Sequence, residues 1–291
     1  MESSALRKVL VTGGMGFIGQ FVVAKLREKG YCPVIFDHHF VPHEPPVERV
    51  MGSVTDKDAV DHAVSLCDAV IHLAGILGTQ ETINYPDFAF EVNVMGSLNV
   101  FQAVRRYELP AVYITCGNYW MNNPYSISKH TAERIALMMN CECGTKIAVV
   151  RGYNAYGPGQ RAAPIRKIIP NFILSALRDE TITVYGDGEQ LMDMIYVEDL
   201  ADILVRVLDA PQYDTPYEAG TGRRTTVNEI ATVVIGLVGA GSIEHVPMRP
   251  GEPEHAVVMA NPETLGDMRP AHFVTLRTGI ARTIPYYRGY L

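Results

Sequence analysis

The sequence predicts an α/β protein built on a doubly wound parallel sheet, and three observations carry that expectation. Short apolar runs without polar alternation recur along the chain, as strands buried on both faces do: Lys8-Val9-Leu10-Val11, Pro33-Val34-Ile35-Phe36, Ala69-Val70-Ile71-His72, Ala111-Val112-Tyr113-Ile114 and Lys146-Ile147-Ala148-Val149-Val150. Helical patterns separate them, giving the strand, helix, strand order of a parallel sheet. A glycine turn, Gly13, Gly16 and Gly19, joins the first strand to the first helix.

With 291 residues the chain can bury one large core or form two interleaved lobes. A net charge of −7 without a basic run argues against nucleic acid or an anionic membrane as the main partner. Five cysteines, an odd and scattered set, give no disulfide framework, and Cys141-x-Cys143 has no second pair to complete a zinc site. The start Met1-Glu2-Ser3-Ser4 lacks a signal pattern, and the longest apolar stretch, around 230–238, is too short and glycine-interrupted to span a bilayer. The expectation is a soluble cytoplasmic protein.

The glycines at 13, 16 and 19 follow a strand and precede the helical pattern Phe21-Val22-Val23-Ala24-Lys25-Leu26. In that setting they tighten the turn, let the backbone approach a pyrophosphate and let helix pack on sheet. The second strand ends in Asp37, eighteen residues past Gly19, where a carboxylate can accept hydrogen bonds from ribose hydroxyls and repel a 2′-phosphate. That favours NAD over NADP. The loop at 38–46 holds His38, His39 and His43 without metal-ligand spacing and reads as solvated, so no metal is expected. Asp56 is a plausible N-cap for a short helix. The third strand leads into small residues at Ala74 and Gly75, suited to passage over a flat ligand. A long helix is expected over 88–107, then the strand ending at Thr115 and Cys116.

Tyr125 and Lys129 open the next helical run. Spacing of i, i+4 puts them on one face, where an ammonium favours the phenolate and lowers the tyrosine pKa from about 10 toward working pH. The pair then reads as a general base and its electrostatic partner.

Together these residues resemble the extended short-chain dehydrogenase/reductase family, in particular its nucleotide-sugar epimerases and dehydratases. The resemblance runs over essentially the whole chain. Besides the glycine turn, Asp37 and Tyr125 with Lys129, it rests on His72 through Gly75, Asn93-Val94-Met95-Gly96, Arg151-Gly152-Tyr153-Asn154-Ala155-Tyr156-Gly157-Pro158-Gly159-Gln160, Val184-Tyr185-Gly186-Asp187-Gly188-Glu189-Gln190, Tyr196-Val197-Glu198-Asp199, Gly220-Thr221-Gly222 and Arg249-Pro250-Gly251-Glu252. It implies a Rossmann-like NAD-binding domain over 1–152, rejoined by roughly 190–212, and a smaller mixed α/β substrate lobe over 153–291. Within that lobe 217–222 reads as strand and turn, Thr226 begins an amphipathic helix, and 275–287 is a closing helix.

By the same resemblance the cofactor site would comprise Gly13, Gly16, Phe17, Ile18, Gly19, Asp37, His38, Ser53, Val54, Leu73, Ala74, Gly75, Asn93, Tyr125, Lys129 and Tyr153. Asn154, Val184, Tyr185, Gln190 and Arg249 would hold a UDP- or dTDP-linked sugar, with Val184 and Tyr185 beside the base and Arg249 on the diphosphate. Pairing of two long helices implies a homodimer.

Four departures shape the functional reading. Where the family carries a hydroxyl bridging tyrosine and sugar, this chain has Cys116 after Thr115, and a thiol is a weak donor. The family's acid pair is Gly117 and Asn118, which cannot move a catalytic proton, so elimination is disfavoured. Cys116 and Tyr125 are nearly adjacent, so a loop along the cleft is missing and the cleft is either more open or covered by other segments. Met192 replaces an arginine, and Ser53 an aspartate, which leaves the diphosphate to Arg249 with help from Arg161 or Arg166. The resulting expectation is an NAD-dependent nucleotide-sugar epimerase acting at C4, with Tyr125, Lys129, Thr115 and Cys116 at the reacting centre. A dehydratase, reductase or decarboxylase using the same oxidation is the alternative, and an NAD-binding regulator without turnover the third.

Overall fold

The computed structural model describes residues 7–39, 46–250, 252–253 and 255–290, so His43 lies outside the described residues. The first layer is β1 (Lys8–Thr12), α1 (Phe17–Glu28), β2 (Cys32–Asp37), β3 (Glu48–Met51), α2 (Lys57–Ser65) and β4 (Ala69–His72). After a 3-10 turn at Glu81–Asn84 come α3 (Pro86–Phe90), a π-helical stretch (Glu91–Gly96), α4 (Ser97–Arg106), β5 (Pro110–Cys116), α5 (Pro124–Cys143) and β6 (Lys146–Gly152). The rest is β7 (Asn154–Tyr156), α6 (Ile168–Leu177), β8 (Thr181–Tyr185), β9 (Leu191–Met192), β10 (Met194–Tyr196), α7 (Val197–Asp209), β11 (Tyr217–Ala219), β12 (Thr225–Thr226), α8 (Val227–Val238), β13 (Ser242–Val246), β14 (Val257–Val258), a 3-10 stretch (Pro262–Met268) and α9 (Leu276–Arg288).

The expected doubly wound sheet is present, with seven strands in the order β11-β6-β5-β4-β1-β2-β3, parallel at every pairing. Because both faces are covered, alternate residues of one strand enter different cores. Val9 and Val11 pack with Val22, Val23 and Leu26 of α1 and Leu200 and Leu204 of α7. Leu10 faces the opposite way, toward Val60, Val100, Phe101, Ala132 and Ala136 of α2, α4 and α5. The strand order reverses between β1 and β4, which opens a crevice beyond their carboxyl ends.

Local signals set the helix boundaries. The Asp56 carboxylate accepts from the Asp58 and Ala59 amides at the start of α2. Asn123 caps α5 by accepting from the Ser126 amide, Pro124 starts the helix, and Gly144 at φ +64° ends it. The helix expected over 88–107 is interrupted by the π-helical turn, where the Ser97 hydroxyl donates to the Asn93 carbonyl at 2.6 Å. That diverts a carbonyl from the regular ladder.

A third core is formed by Phe172 and Ile173 of α6, Ile182 and Val184 of β8, Val234 of α8 and Ile280 and Ile284 of α9. One sequence expectation changes here. The 217–219 strand, placed in this lobe from sequence, pairs in parallel with β6 as an outer strand of the main sheet. Three residues are too short to announce their sheet; the pairing Tyr217 to Val150 decides it. Among the described residues no helix is long and apolar enough to cross a membrane.

Candidate active site

A cleft of about 1170 Å³ runs along the carboxyl ends of the sheet strands and on to α6, β8 and β9 beside the smaller core. At one end the chain leaves β1 through Gly13, whose amide donates to the Phe36 carbonyl at 2.9 Å. Gly13 has φ +69°, and a Cβ there would lie 2.8 Å from the Ala74 nitrogen. A Cβ on Gly19 would lie 2.3 Å from the Gly13 carbonyl oxygen. Helix α1 has no side chain capping its first turn, so its amides stay available to an anion at the cleft.

Asp37 ends β2, accepting from the Met15 amide on Oδ2 and the His39 amide on Oδ1, each at 3.1 Å. The exposed rings of His38 and His39 place Nδ1 at 3.6 and 3.7 Å from Asp37 Oδ1. These three side chains bring potential ligand atoms within 4.8 Å of one another, a closer grouping than the loop composition suggests. Phe17, Ile18, His38, Ser53, Val54, Leu73, Ala74 and Gly75 line the same end of the cleft. Asn93 does not. It is fully buried beneath the floor, where Oδ1 accepts from the Ile76 amide at 2.8 Å and Nδ2 donates to the Ile76 carbonyl and the Ser128 hydroxyl. The expectation of direct cofactor contact from Asn93 is therefore corrected: the π-turn aims it at the 75–76 backbone, which it positions.

At the middle of the cleft Tyr125 and Lys129 both line the wall. Lys129 is 4 % exposed, and its ammonium lies 4.4 Å from the Tyr113 ring centroid. Burial lowers its pKa to about 8. Tyr125 shifts upward, because burial disfavours the phenolate and Cys116 and Tyr113 add to the effect. The direction is opposite to the depression expected from the spacing: burial of the phenol dominates, and the Lys129 charge is placed over Tyr113. Nearby, His72 is held neutral, its pKa lowered by burial and then by Lys129 to about 3, between the Thr12 hydroxyl at 2.6 Å and the Ser97 hydroxyl at 3.0 Å.

Thr115 and Cys116 line the cleft beside this pair. The Thr115 hydroxyl donates to the Lys129 backbone carbonyl at 3.2 Å, and burial pushes the Cys116 thiol up to about 12. The Thr115 proton is thus committed to the helix, and Cys116 carries a neutral buried thiol, a weak donor as the sequence suggested.

The shortened segment between β5 and α5 is held by Met121, which packs on Tyr153, Ala256 and Val258, and by Tyr119, whose ring lies 3.9 Å from the Arg151 guanidinium carbon. The sequence left open whether the gap would be open or covered; the segment around β14 covers it.

At the far end, Asn154, Tyr185, Gln190 and Arg249 line the cleft. Val184 does not: it is fully buried in the smaller core, while Thr183 and Tyr185 face the cleft. The alternation of a strand forces this, so the Val184 side chain is no base contact. Asn154 Nδ2 donates to the Asp193 carbonyl at 3.0 Å and Gln190 Nε2 to the Tyr185 carbonyl at 2.9 Å. Arg249 is gripped by Glu252 through Nε at 3.0 Å and Nη2 at 2.6 Å. Arg166 reaches the Tyr185 hydroxyl at 2.9 Å.

Sequence reasoning missed several contributors. Glu252 also accepts from the Thr79 hydroxyl across the cleft at 2.8 Å. Lys167 lines the cleft with its pKa lowered by burial. Asp193, fully buried, accepts from the amides of Thr221 and Gly222 at 2.8 Å each and so fixes the glycine turn after β11. The Arg249-Pro250-Gly251-Glu252 spacing could have suggested the first; nothing local marks the other two.

A family model described as the NAD dependent epimerase/dehydratase family matches residues 9–220. The chain is 28% identical to a putative UDP-glucose 4-epimerase of Methanocaldococcus jannaschii, over 97% of this chain and 98% of that protein. It is 27% identical to a UDP-N-acetyl-alpha-D-glucosaminuronate decarboxylase of Bacillus cytotoxicus over the same shares. Its structure is similar to that of Thermotoga maritima UDP-glucose 4-epimerase with UDP-glucose, at TM-score 0.88 and 26% identity, covering 97% of this chain and 99% of that one.

Proposed function

The chain belongs to the NAD dependent epimerase/dehydratase family, and within it we propose a nucleotide-sugar 4-epimerase that works on a UDP- or dTDP-linked sugar through a transient 4-keto intermediate. The residues fit the cofactor. The glycine cradle would be filled by any Cβ at Gly13 or Gly19, the first turn of α1 is uncapped, and Asp37 stands where a ribose would reach it. Bound NAD supplies the acceptor and later the donor of the hydride at C4.

In this reading Tyr125 takes the proton from the sugar 4-hydroxyl and returns it after the keto sugar has turned in the cleft. Lys129 binds the nicotinamide ribose and steadies the developing phenolate. Gly13, Gly16, Phe17, Ile18 and Gly19 hold the pyrophosphate; Asp37, His38, Ser53 and Val54 take the adenosine end; Leu73, Ala74, Gly75 and Tyr153 flank the nicotinamide half. Asn154, Tyr185, Gln190 and Arg249 take the sugar nucleotide, Glu252 setting the angle of the Arg249 fork. The observation that carries epimerisation over elimination is the wall beside Tyr125, where Gly117 and Asn118 offer no acid. The decarboxylase relative supports a second outcome from the same 4-keto stage, distinguished by loss of mass. The proposal extends to a cytoplasmic homodimer paired through α4 and α5.

Incubation with the matching UDP- or dTDP-sugar is expected to give a product of unchanged mass with no net NADH. Tyr125→Phe is expected to abolish turnover while nucleotide stays bound, and full activity in that variant would overturn the assignment. A product lighter by water or carbon dioxide would replace epimerisation with one of the rival outcomes.

A further inference from the structure

At the carboxyl end of β5 the polar groups that could meet a sugar oxygen are few. The Thr115 hydroxyl proton is given to the Lys129 carbonyl, and Cys116 carries a buried, neutral thiol that donates weakly. Gly117 has no side chain and no room for one, since a Cβ there would lie 2.6 Å from the Tyr153 ring. The next residue along the wall is Asn118, which lines the cleft. Its amide nitrogen donates to the Met121 thioether at 3.5 Å. A thioether is a weak acceptor and an amide nitrogen carries two protons, so among the described residues one Asn118 amide proton has no protein acceptor and the other only a weak one.

The backbone around it is fixed. The Gly117 amide donates to the Gly152 carbonyl and the Met121 amide to the Asn118 carbonyl, both at 3.0 Å. Met121 is 6 % exposed in the Tyr153, Ala256 and Val258 cluster. The carboxamide is thus presented to the cleft by a rigid turn.

Resting on the epimerase reading, we infer that Asn118 is a substrate-contacting residue whose side-chain amide donates a hydrogen bond to the sugar C4 oxygen. It stabilises that oxygen as carbonyl while the keto sugar turns. An amide keeps its protons, so it holds the ketone without protonating a hydroxyl on a neighbouring carbon, and no water is expelled. The substrate class that follows is a sugar nucleotide that keeps all its hydroxyls through the 4-keto stage.

The test uses the full-length protein with NAD, and two probes: UDP, and UDP-4-keto-6-deoxyglucose as a stable ketone. Trp120, the single tryptophan, stands two residues from Asn118 at 45 % exposure and reports binding by its fluorescence. Asn118→Ala is expected to weaken the keto sugar by roughly 3- to 10-fold, the range of one net hydrogen bond, with UDP changed less than twofold. Asn118→Ser, which restores a donor, is expected to recover most of the loss. In turnover, Asn118→Ala should lower kcat with little change in KM. Unchanged ketone affinity, or equal losses for both probes, would overturn the inference and leave the epimerase reading standing. Failure of the unmodified protein to bind either probe, and likewise dTDP and its 4-keto-6-deoxyglucose conjugate, would overturn that reading and this inference with it.

Discussion

Lys129 is held almost out of solvent with its ammonium against the face of Tyr113, and its pKa falls from 10.5 to about 8. Because the folded value lies below the unfolded one, the unfolded chain binds the proton more readily. The charge therefore costs stability fully below about pH 8, and the cost fades as pH rises toward 10.5. Lys129→Met is expected to stabilise the protein at pH 7 by on the order of 2–3 kcal/mol while abolishing turnover. Urea unfolding at pH 7 and at pH 10 measures this: the advantage should shrink at the higher pH, and a variant less stable at pH 7 would refute the reading of Lys129 as a buried charge that costs more than its contact with Tyr113 returns. The same desolvation raises the Tyr125 pKa. Burial sets the direction for both groups, so the pKa of this pair was not legible from its spacing.

Among the elements, the turn from β1 into α1 tolerates least. A methyl on Gly19 would lie 2.3 Å from the Gly13 carbonyl oxygen and 2.7 Å from the Gly14 Cα, both backbone atoms that cannot swing aside. Gly19→Ala is expected to lower NAD affinity at least tenfold by calorimetry. Gly236 of α8 is the control: nothing lies within 4 Å of its added Cβ, so Gly236→Ala should leave NAD affinity unchanged and add about 0.5–1 kcal/mol of stability. Equal NAD affinity in Gly19→Ala would show that the turn does not shape the site. This turn was legible in sequence because its glycines are required one by one, and the sheet was legible because burial on both faces writes an apolar run. Val184 and Asn93 were not. Which side of β8 faces the cleft depends on packing against α6 and α8, and Asn93 turns inward through a π-helical turn that the apolar pattern does not announce. The Thr79 bond to Glu252 arises where distant segments meet, and no local pattern encodes such a meeting.

At the scale of the whole molecule, α5 links the cleft to the outer surface. One side carries Lys129, Ala132 and Ala136 into the interior, and Glu133, 1 % exposed, accepts Arg151 at 2.6 Å. Arg151 also reaches Glu218 of β11 at 3.3 Å, so this network ties α5 to the outer strands of the main sheet. The other side exposes Ile127 and Met138, and the neighbouring helical run exposes Phe88 and Met95 to about half. Apolar side chains of that size on adjoining helices fit burial against a second copy, as the homodimer proposed above requires. Phe88 also lines the cleft, whereas Met95 does not, so a charge at Met95 tests the proposal without touching the cleft. Met95→Glu is expected to convert the dimer to a 32.1 kDa monomer in sedimentation, because an unpaired carboxylate at the centre of an apolar contact cannot be desolvated cheaply. The monomer should still bind NAD, since the glycine turn and Asp37 lie on other elements, but melt at a lower temperature with α5 unsupported. An unmodified protein that already sediments as a monomer, or a Met95→Glu dimer as tight as the original, would remove this face from the assembly and leave the exposed methionines without a partner.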